Sequence, residues 1–302
     1  MYSPGNNRPP EREYSLLVNP TAGGGRSRDR LPAALAALEG AGARHRVAMT
    51  EDLDHGVELA LAAAERGQLP VVMSGDGLIG RVGGALAGSE TPLGIIPGGR
   101  GNDLARVLGI SEDPREAVAT LLADDRRRID VGTANDVRFL CIASCGFDSD
   151  ANRIANSSRF VKGAPVYAYA AIRALAQWKP ATFTITADDE TTSYEGFSVA
   201  VANSKAYGGG MFVAPDARLD DGLLDLTMTH GRDKLGFIRS LPRVFDGTHI
   251  ENDAVHTARA AEVEVSADRP FDVYADGERI CELPMRVRLM EGALSVIAPP
   301  LT

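Results

Sequence analysis

The sequence is short of several things, and each shortage narrows what it can be. Only three of its 302 residues are cysteines, Cys141, Cys145 and Cys281. So sparse and odd a set, without metal-ligand spacing, reads as reduced thiols of a cytoplasmic protein rather than a disulfide frame. Cys141 and Cys145 lie in an apolar stretch, where small buried side chains are expected. No apolar run approaches the roughly 20 residues that a membrane-spanning helix needs. The opening Met1–Glu13 is polar and Pro-rich and lacks the apolar core of a signal peptide. Basic charge is scarce too: 32 Lys and Arg stand against 41 Asp and Glu, a formal net charge of -9. That argues against nucleic acid as the main partner. No run of four to eight Lys/Arg offers a general anchor to anionic lipid. The densest basic cluster, Arg126–Arg128, reads as a solvated edge. The five histidines, His45, His55, His230, His249 and His256, show no metal-site spacing. The Gly-x4-Gly-Lys-Ser/Thr loop of P-loop enzymes is absent as well.

What is present reads as two domains. The chain is 44% hydrophobic and 24% charged, an ordinary globular balance at a length that suits two units better than one. Residues 1–13 read as a disordered tail. Residues 14–130 alternate short, continuously apolar strands with helical patterns. Strands are expected at Tyr14–Val18, Arg44–Met49, Leu69–Met73 and Leu93–Ile96, and helices at Leu31–Leu38, Val57–Ala64, Asp103–Leu108 and Glu116–Leu122. That rhythm indicates a parallel sheet covered on both faces. Residues 131–291 read differently. After a helix expected over Val166–Gln177, the candidates Thr182–Ala187, Phe197–Ala202, Leu224–Met228, Ala261–Val265, Phe271–Tyr274 and Val287–Leu289 give an antiparallel sheet or sandwich. A further strand is expected at Leu294–Ile297, and residues from about 292 to 302 are expected to return to the first domain.

Three glycine-rich loops each follow a strand of the first domain: Asn19–Gly25, Ser74–Gly80 and Pro97–Asp103. They should all lie at the carboxyl edge of the sheet, where ligands of open α/β sheets bind. Glycine lets backbone approach a phosphate closely, and a following helix offers free N–H groups. A nucleotide or other phosphate ligand is therefore expected. Gly75-Asp76-Gly77-Leu78-Ile79-Gly80 also fits Gly-x-Gly-x-x-Gly, but the next strand ends Ile95-Ile96-Pro97 without the carboxylate of a dinucleotide fold.

These elements resemble the diacylglycerol-kinase catalytic family, which includes sphingosine kinases and bacterial lipid kinases. The likeness runs from Tyr14 to about Pro299. Its motifs are Asn19-Pro20-Thr21-Ala22-Gly23, Ser74-Gly75-Asp76-Gly77, Gly101-Asn102-Asp103 and Cys145-Gly146-Phe147-Asp148. Tyr207–Gly210, Ala214-Pro215-Asp216-Ala217, Asp221–Asp225 and Val273–Glu278 complete the series. The resemblance implies a nucleotide-binding α/β domain similar to phosphofructokinase and NAD kinase, a β-sandwich second domain, and an active site in the cleft between them.

It implies that ATP contacts Asn19, Pro20, Thr21, Ala22, Gly23, Thr50 and the stretch Gly75, Asp76, Gly77, Leu78, Ile79, Gly80, Arg81. It also implies catalytic roles for Asp76, near the phosphates and Mg2+, for Asp130, and for Glu278 as the general base on a lipid hydroxyl. A structural Mg2+ is implied at the carbonyls of Arg218 and Leu223 and the carboxylate of Asp221, oxygen ligands that suit a hard cation. Lys162 is a further candidate partner of phosphate. The second loop departs from the family pattern, with Leu78 for Thr, Gly80 for Asn and Arg81 for Glu; Arg100 replaces the third loop's Thr. Arg81 and Arg100 are expected to add positive charge at the phosphate site.

The function so implied is an ATP-dependent lipid kinase with diacylglycerol the default acceptor. It would be cytoplasmic, without a transmembrane segment, and would touch membranes transiently. A non-catalytic nucleotide- or lipid-binding relative and a kinase on a soluble metabolite such as NAD are the competing readings. Sheet edges of the second domain could pair two copies into a homodimer.

Overall fold

The structure, a computed structural model, describes residues 12–147, 149, 150, 173, 175 and 177–300. Most of the expected tail, Asp148, Lys162 and nearly all of the helix expected over Val166–Gln177 lie outside these residues. The chain divides into two compact units. One runs to Arg128 and takes the chain back from Leu294; the other is Ile129–Ala293.

The first unit is a parallel sheet in the order β2-β1-β3-β4. Its strands are β1 (Tyr14–Val18), β2 (His45–Met49), β3 (Leu69–Ser74) and β4 (Gly94–Pro97). Every residue of β1, β3 and β4 is buried, as a sheet covered on both faces requires, whereas β2 forms a partly exposed edge. Helices α1 (Arg26–Gly40), α2 (Leu53–Glu65), α3 (Asp76–Leu86), α4 (Asp103–Leu108) and α5 (Pro114–Ala123) connect the strands. In α1 the buried residues Ser27, Leu31, Ala34 and Leu38 make one stripe at helical spacing. Asp52 caps α2 by accepting the His55 N–H at 2.8 Å, and Asp113 caps α5 through the Arg115 N–H at 2.7 Å. Beyond β4 the sheet is extended by the end of the chain: the Leu93 N–H donates to the Ser295 carbonyl at 2.8 Å and the Ile297 N–H to the Leu93 carbonyl at 3.0 Å.

Helix α3 was not expected. Its glycines, Gly77, Gly80, Gly83 and Gly84, weaken any helical reading of the sequence. Packing overrides that propensity. A Cβ placed on Gly56 of α2 would lie 2.4 Å from Leu78 Cδ1, so glycine on α2 makes room for the leucine of α3 and the two helices pack closely.

The second unit is built on antiparallel strands: β6 (Val137–Phe139), β7 (Ile142–Gly146), β8 (Ala181–Ala187), β9 (Glu190–Ala202), β10 (Leu224–His230), β11 (Val255–Ala260), β12 (Glu262–Ala267), β13 (Asp272–Ala275) and β14 (Glu278–Glu282). β5 (Arg126–Ala134) and β15 (Met285–Ile297) complete it. The order is β14-β13-β7-β9-β8-β12-β15-β5-β6, with β10 joining β9 to β11. β9 serves two parts of this sandwich: Glu190–Gly196 pairs with β8, and Ser198–Ala202 pairs with β7 and β10. Only 6% of the sequence is aromatic, yet these rings gather here. Trp178 stacks on Phe197 and Phe271, Phe183 stacks on Phe271, and Phe237 stacks on Phe197 with centroids 4.3 Å apart. Phe237 comes from helix α6 (Lys234–Ser240), which these rings hold to the sandwich.

Candidate nucleotide and phosphoryl-transfer site

The first glycine loop follows β1. Asn19 Oδ1 accepts both the Thr21 N–H at 3.0 Å and the Thr21 hydroxyl at 2.9 Å, which sets the turn. Gly23, Gly24 and Gly25 then take φ of 62°, 76° and 105°, a run in the left-handed region that other residues rarely enter. Thr50, expected at the site, is buried at the end of β2, where its N–H donates to the Val18 carbonyl at 2.9 Å.

The loop after β4 meets the first one through α1. Ser27, fully buried, donates to the Gly98 carbonyl at 3.3 Å; Arg26 donates to the Gly99 carbonyl at 3.4 Å, and Arg30 to the Pro97 carbonyl at 3.3 Å. Asn102 Oδ1 accepts the Gly99 N–H at 2.8 Å and closes the turn upon itself. The second loop lies against the third at backbone distance: a Cβ on Gly99 would be 2.4 Å from Gly75 Cα. Arg100 reaches the first loop, its Nη2 3.6 Å from where a Gly24 Cβ would stand. The three loops therefore form one cradle at the carboxyl edge of the sheet. Arg26 and Arg100 bring positive charge to it in a chain whose net charge is -9. Arg26 was missed from the sequence, although arginines at 26, 28 and 30 directly behind the glycine run are the signal for it.

Asp76 opens α3 and accepts the Leu104 N–H at 3.4 Å at the start of α4. Burial, and next the charge of Asp103, push its carboxyl above the usual carboxylate range, against the lowering effect of the α4 amides. Asp103 is itself buried. Asp76 and Asp103 are thus two carboxyl groups beside the cradle, oxygen ligands of the type a hard cation takes. A carboxyl raised in the folded state destabilises the fold at neutral pH. Asp76→Asn is accordingly expected to raise the melting temperature at pH 7 by about 1–3 °C. The gap to wild type should close as pH falls through the raised value, because the native carboxyl is then neutral too. Melting curves at pH 7 and at acid pH check this, and a variant less stable than wild type at pH 7 would refute it.

The altered residues of the second loop have structural occupations. Leu78 and Ile79 are buried, 2% and 0% exposed, and Gly80 is buried beside them. The side chains of Leu78 and Ile79 are core, so backbone alone is what they can offer a nucleotide. Arg81 does not carry a free charge to phosphate as expected. It pairs with Asp54 at 2.6 Å and bridges α3 to α2.

In the second unit, Glu278 is the first residue of β14, exposed behind the two-residue turn Asp276-Gly277. Both turn residues have positive φ, 50° and 88°, the geometry of a tight hairpin. Asp276 is more than a turn residue. It is 8% exposed, and its carboxylate accepts the Leu140 N–H at 2.7 Å and the Cys141 N–H at 2.9 Å. The hairpin that presents Glu278 is thus pinned to the start of β7.

Asp130, expected to be catalytic, has a structural task. One oxygen accepts the Gly292 N–H at 2.7 Å and the other the Gly222 N–H at 2.9 Å, with the residue 2% exposed. It ties the Asp221-Gly222 turn to Gly292 within β15. The Mg2+ expected at Arg218, Asp221 and Leu223 does not fit these residues as placed. Asp221 accepts the Leu223 N–H at 3.2 Å and pairs with Arg259, which also approaches Asp225 at 3.3 Å. A guanidinium meets the acidic charge there. Among the described residues no group of three or more His, Cys, Asp or Glu gathers to hold a metal. A groove of about 280 Å³ over β8, β12 and β15 contains none of the expected site residues.

Comparison with known proteins agrees with this architecture. Residues 13–134 match the model of the diacylglycerol kinase catalytic domain, and residues 141–298 that of the YegS C-terminal NAD kinase beta sandwich-like domain. A Mycobacterium tuberculosis diacylglycerol kinase is 34% identical over 295 residues, 95% of each chain. The chain belongs to the diacylglycerol kinase family. A Staphylococcus saprophyticus diacylglycerol kinase is 27% identical, covering 94% of both chains. A Pseudomonas aeruginosa protein that carries the name "Probable lipid kinase YegS-like" is 35% identical over 90% of each. The crystal structure of a Bacillus anthracis diacylglycerol kinase, 23% identical, superposes over 96% of this chain and 97% of its own with a TM-score of 0.74, which shows the shared two-unit fold. Membership of this kinase family makes the chain a phosphotransferase and implies ATP as donor.

Proposed function

We propose that this protein transfers the γ-phosphoryl group of ATP to the hydroxyl of a lipid, with diacylglycerol the first acceptor to test. The observation that carries the reading is the three-loop glycine cradle with Asp76 and Asp103 at its rim. Phosphoryl transfer asks chiefly for positioning and charge neutralisation. The loops bring backbone N–H groups close to phosphate, and Arg26 and Arg100 offset its charge. Magnesium, held by Asp76 and Asp103, would supply further neutralisation. The acceptor hydroxyl is a poor nucleophile until its proton leaves, and this reading assigns that proton to Glu278, the position that matches the family's general base.

The packing of Leu78 and the pairing of Arg81 with Asp54 support activity over a regulatory role. Leu78 and Arg81 are accommodated between α2 and α3, Arg100 lies beside the first loop, and the cradle is left built. The relatives' names divide between diacylglycerol kinase and YegS-like lipid kinase, which makes the acceptor the quantity to measure. A protein acting on lipid visits a membrane, and no helix among the described residues is long and apolar enough to cross one. The test is transfer of radiolabelled γ-phosphate from ATP to dioleoylglycerol in mixed micelles, with a panel of other neutral lipids and NAD alongside. Labelled phosphatidate is the expected product. ATP binding without any labelled lipid would favour the regulatory relative, and NADP formation would favour the soluble-metabolite kinase.

A further inference from the structure

Large apolar side chains are exposed at few places in the described residues, and three of them fall close together in sequence: Leu235, Ile238 and Phe245, at 54%, 44% and 57% exposure. Leu235 and Ile238 lie on α6, and Phe245 follows the short turn Leu241–Val244 directly behind it. The orientation of α6 is fixed from beneath. Phe237 is buried against Phe197 and Phe147, so a neighbouring helix face must point outward. On that outward face Leu235 is followed four residues later by Arg239, and Lys234 four residues later by Ile238; residues so spaced are neighbours on a helix. Apolar and basic side chains are thus interleaved. The helix, Lys-Leu-Gly-Phe-Ile-Arg-Ser, carries two positive charges and no negative one, in a chain of net charge -9.

An aqueous surface has no use for this pattern. A bilayer surface does: apolar side chains enter the boundary between headgroups and acyl chains, and Lys or Arg beside them meet lipid phosphates. The Arg239 and Lys234 charges select an anionic surface over a neutral one. A basic helix on an otherwise acidic protein also sets which side of the second unit turns toward such a membrane. We infer that the outward face of α6, with Phe245, is the surface by which this protein docks on a bilayer containing anionic lipid. This rests on the lipid-kinase reading only for its purpose; the docking itself is measured separately.

The experiment uses the full chain with a triple variant, Leu235→Ser, Ile238→Ser and Phe245→Ser, and a second variant, Arg239→Glu. All four positions are exposed, so the fold should stand, and thermal melts verify that. Co-sedimentation is read with phosphatidylcholine vesicles, with and without a minor fraction of phosphatidylglycerol. The triple variant should bind either vesicle at least about tenfold more weakly than wild type. Arg239→Glu should weaken binding to anionic vesicles severalfold and leave the neutral ones unchanged. Phosphorylation of a short-chain diacylglycerol dispersed as monomers should be the same in all three proteins, while that of long-chain diacylglycerol in vesicles falls with binding. Wild-type sedimentation by the triple variant overturns the proposal. So does a change of oligomeric state in the variants without a change in vesicle binding, which would assign the face to a second copy of the chain. Failure of the wild type to phosphorylate the monomeric substrate would instead count against the kinase reading.

Discussion

Glu278→Gln is expected to lower lipid phosphorylation by on the order of 10²–10⁴-fold while ATP binding and melting temperature stay at wild-type values. The reasons are geometric. Glu278 is exposed at the start of β14, so an amide of nearly equal size opens no cavity there. What changes is the capacity to accept a proton. Asp276, two residues away, is the contrasting case. Its carboxylate accepts the N–H groups of Leu140 and Cys141, both buried, and Asp276→Ala leaves both donors without that acceptor. A buried unmatched donor costs about 1–3 kcal/mol, so that substitution should act through stability and through the rigidity of the hairpin. Kinetics with saturating ATP beside thermal melts separate the two variants. Glu278→Gln with wild-type turnover would remove this residue from the mechanism.

Gly99→Ala should weaken ATP binding at least about tenfold and destabilise the first unit by roughly 1–3 kcal/mol, the usual cost of overpacking. The new methyl would stand 2.4 Å from Gly75 Cα, 3.3 Å from Gly75 N and 3.0 Å from Asn102 Oδ1. Two of these neighbours are backbone, which cannot rotate aside as a side chain can. The second and third loops must therefore separate, and the Asn102 contact that closes the third loop is strained as well. Gly40→Ala is the fitting control. It ends α1, has nothing within 4 Å of its added Cβ, and places a better helix former in a helix. Calorimetric titration with ATP measures both. Unchanged affinity in Gly99→Ala would show that the approach of the two loops is not what shapes the site.

The sequence carried the first unit well because its strands are buried on both faces and so read as unbroken apolar runs ended by glycine or proline. β1, β3 and β4 were located to within a residue on that signal. It carried α3 poorly, since a helix rich in glycine looks like a loop until the helix it packs against, where Gly56 makes room for Leu78, is known. β15 read as two strands, Val287–Leu289 and Leu294–Ile297, because Glu291-Gly292 resembles a turn; the chain runs through it as one strand whose first half alternates and whose second half is wholly buried. β5, β6, β7, β11 and β14 went unread: β5 opens on three arginines, and the others are short or weakly alternating. At the candidate site, the loops and Asp76 were legible as motifs. The occupations of Arg81, Asp130 and Asp221 were not, because Asp54, Gly292 and Arg259 are distant partners that only tertiary structure brings near.

The return of the chain to its first sheet has a bearing on how the protein is made. Leu93 is flanked by Ser295 and Ile297, and Leu294, Val296 and Ile297 are wholly buried. A ribosome releases β1 to β4 early, but the strand that closes the sheet beyond β4 emerges only after all of Ile129–Ala293 has been synthesised. Contacts of such long sequence separation form slowly, and a domain waiting for its last strand stays incomplete meanwhile. The inserted β-rich unit has no such wait, since its own segment is continuous. Synthesis order therefore makes the first unit the last part to mature, and a chain cut short before Leu294 would lack the strand that completes its sheet.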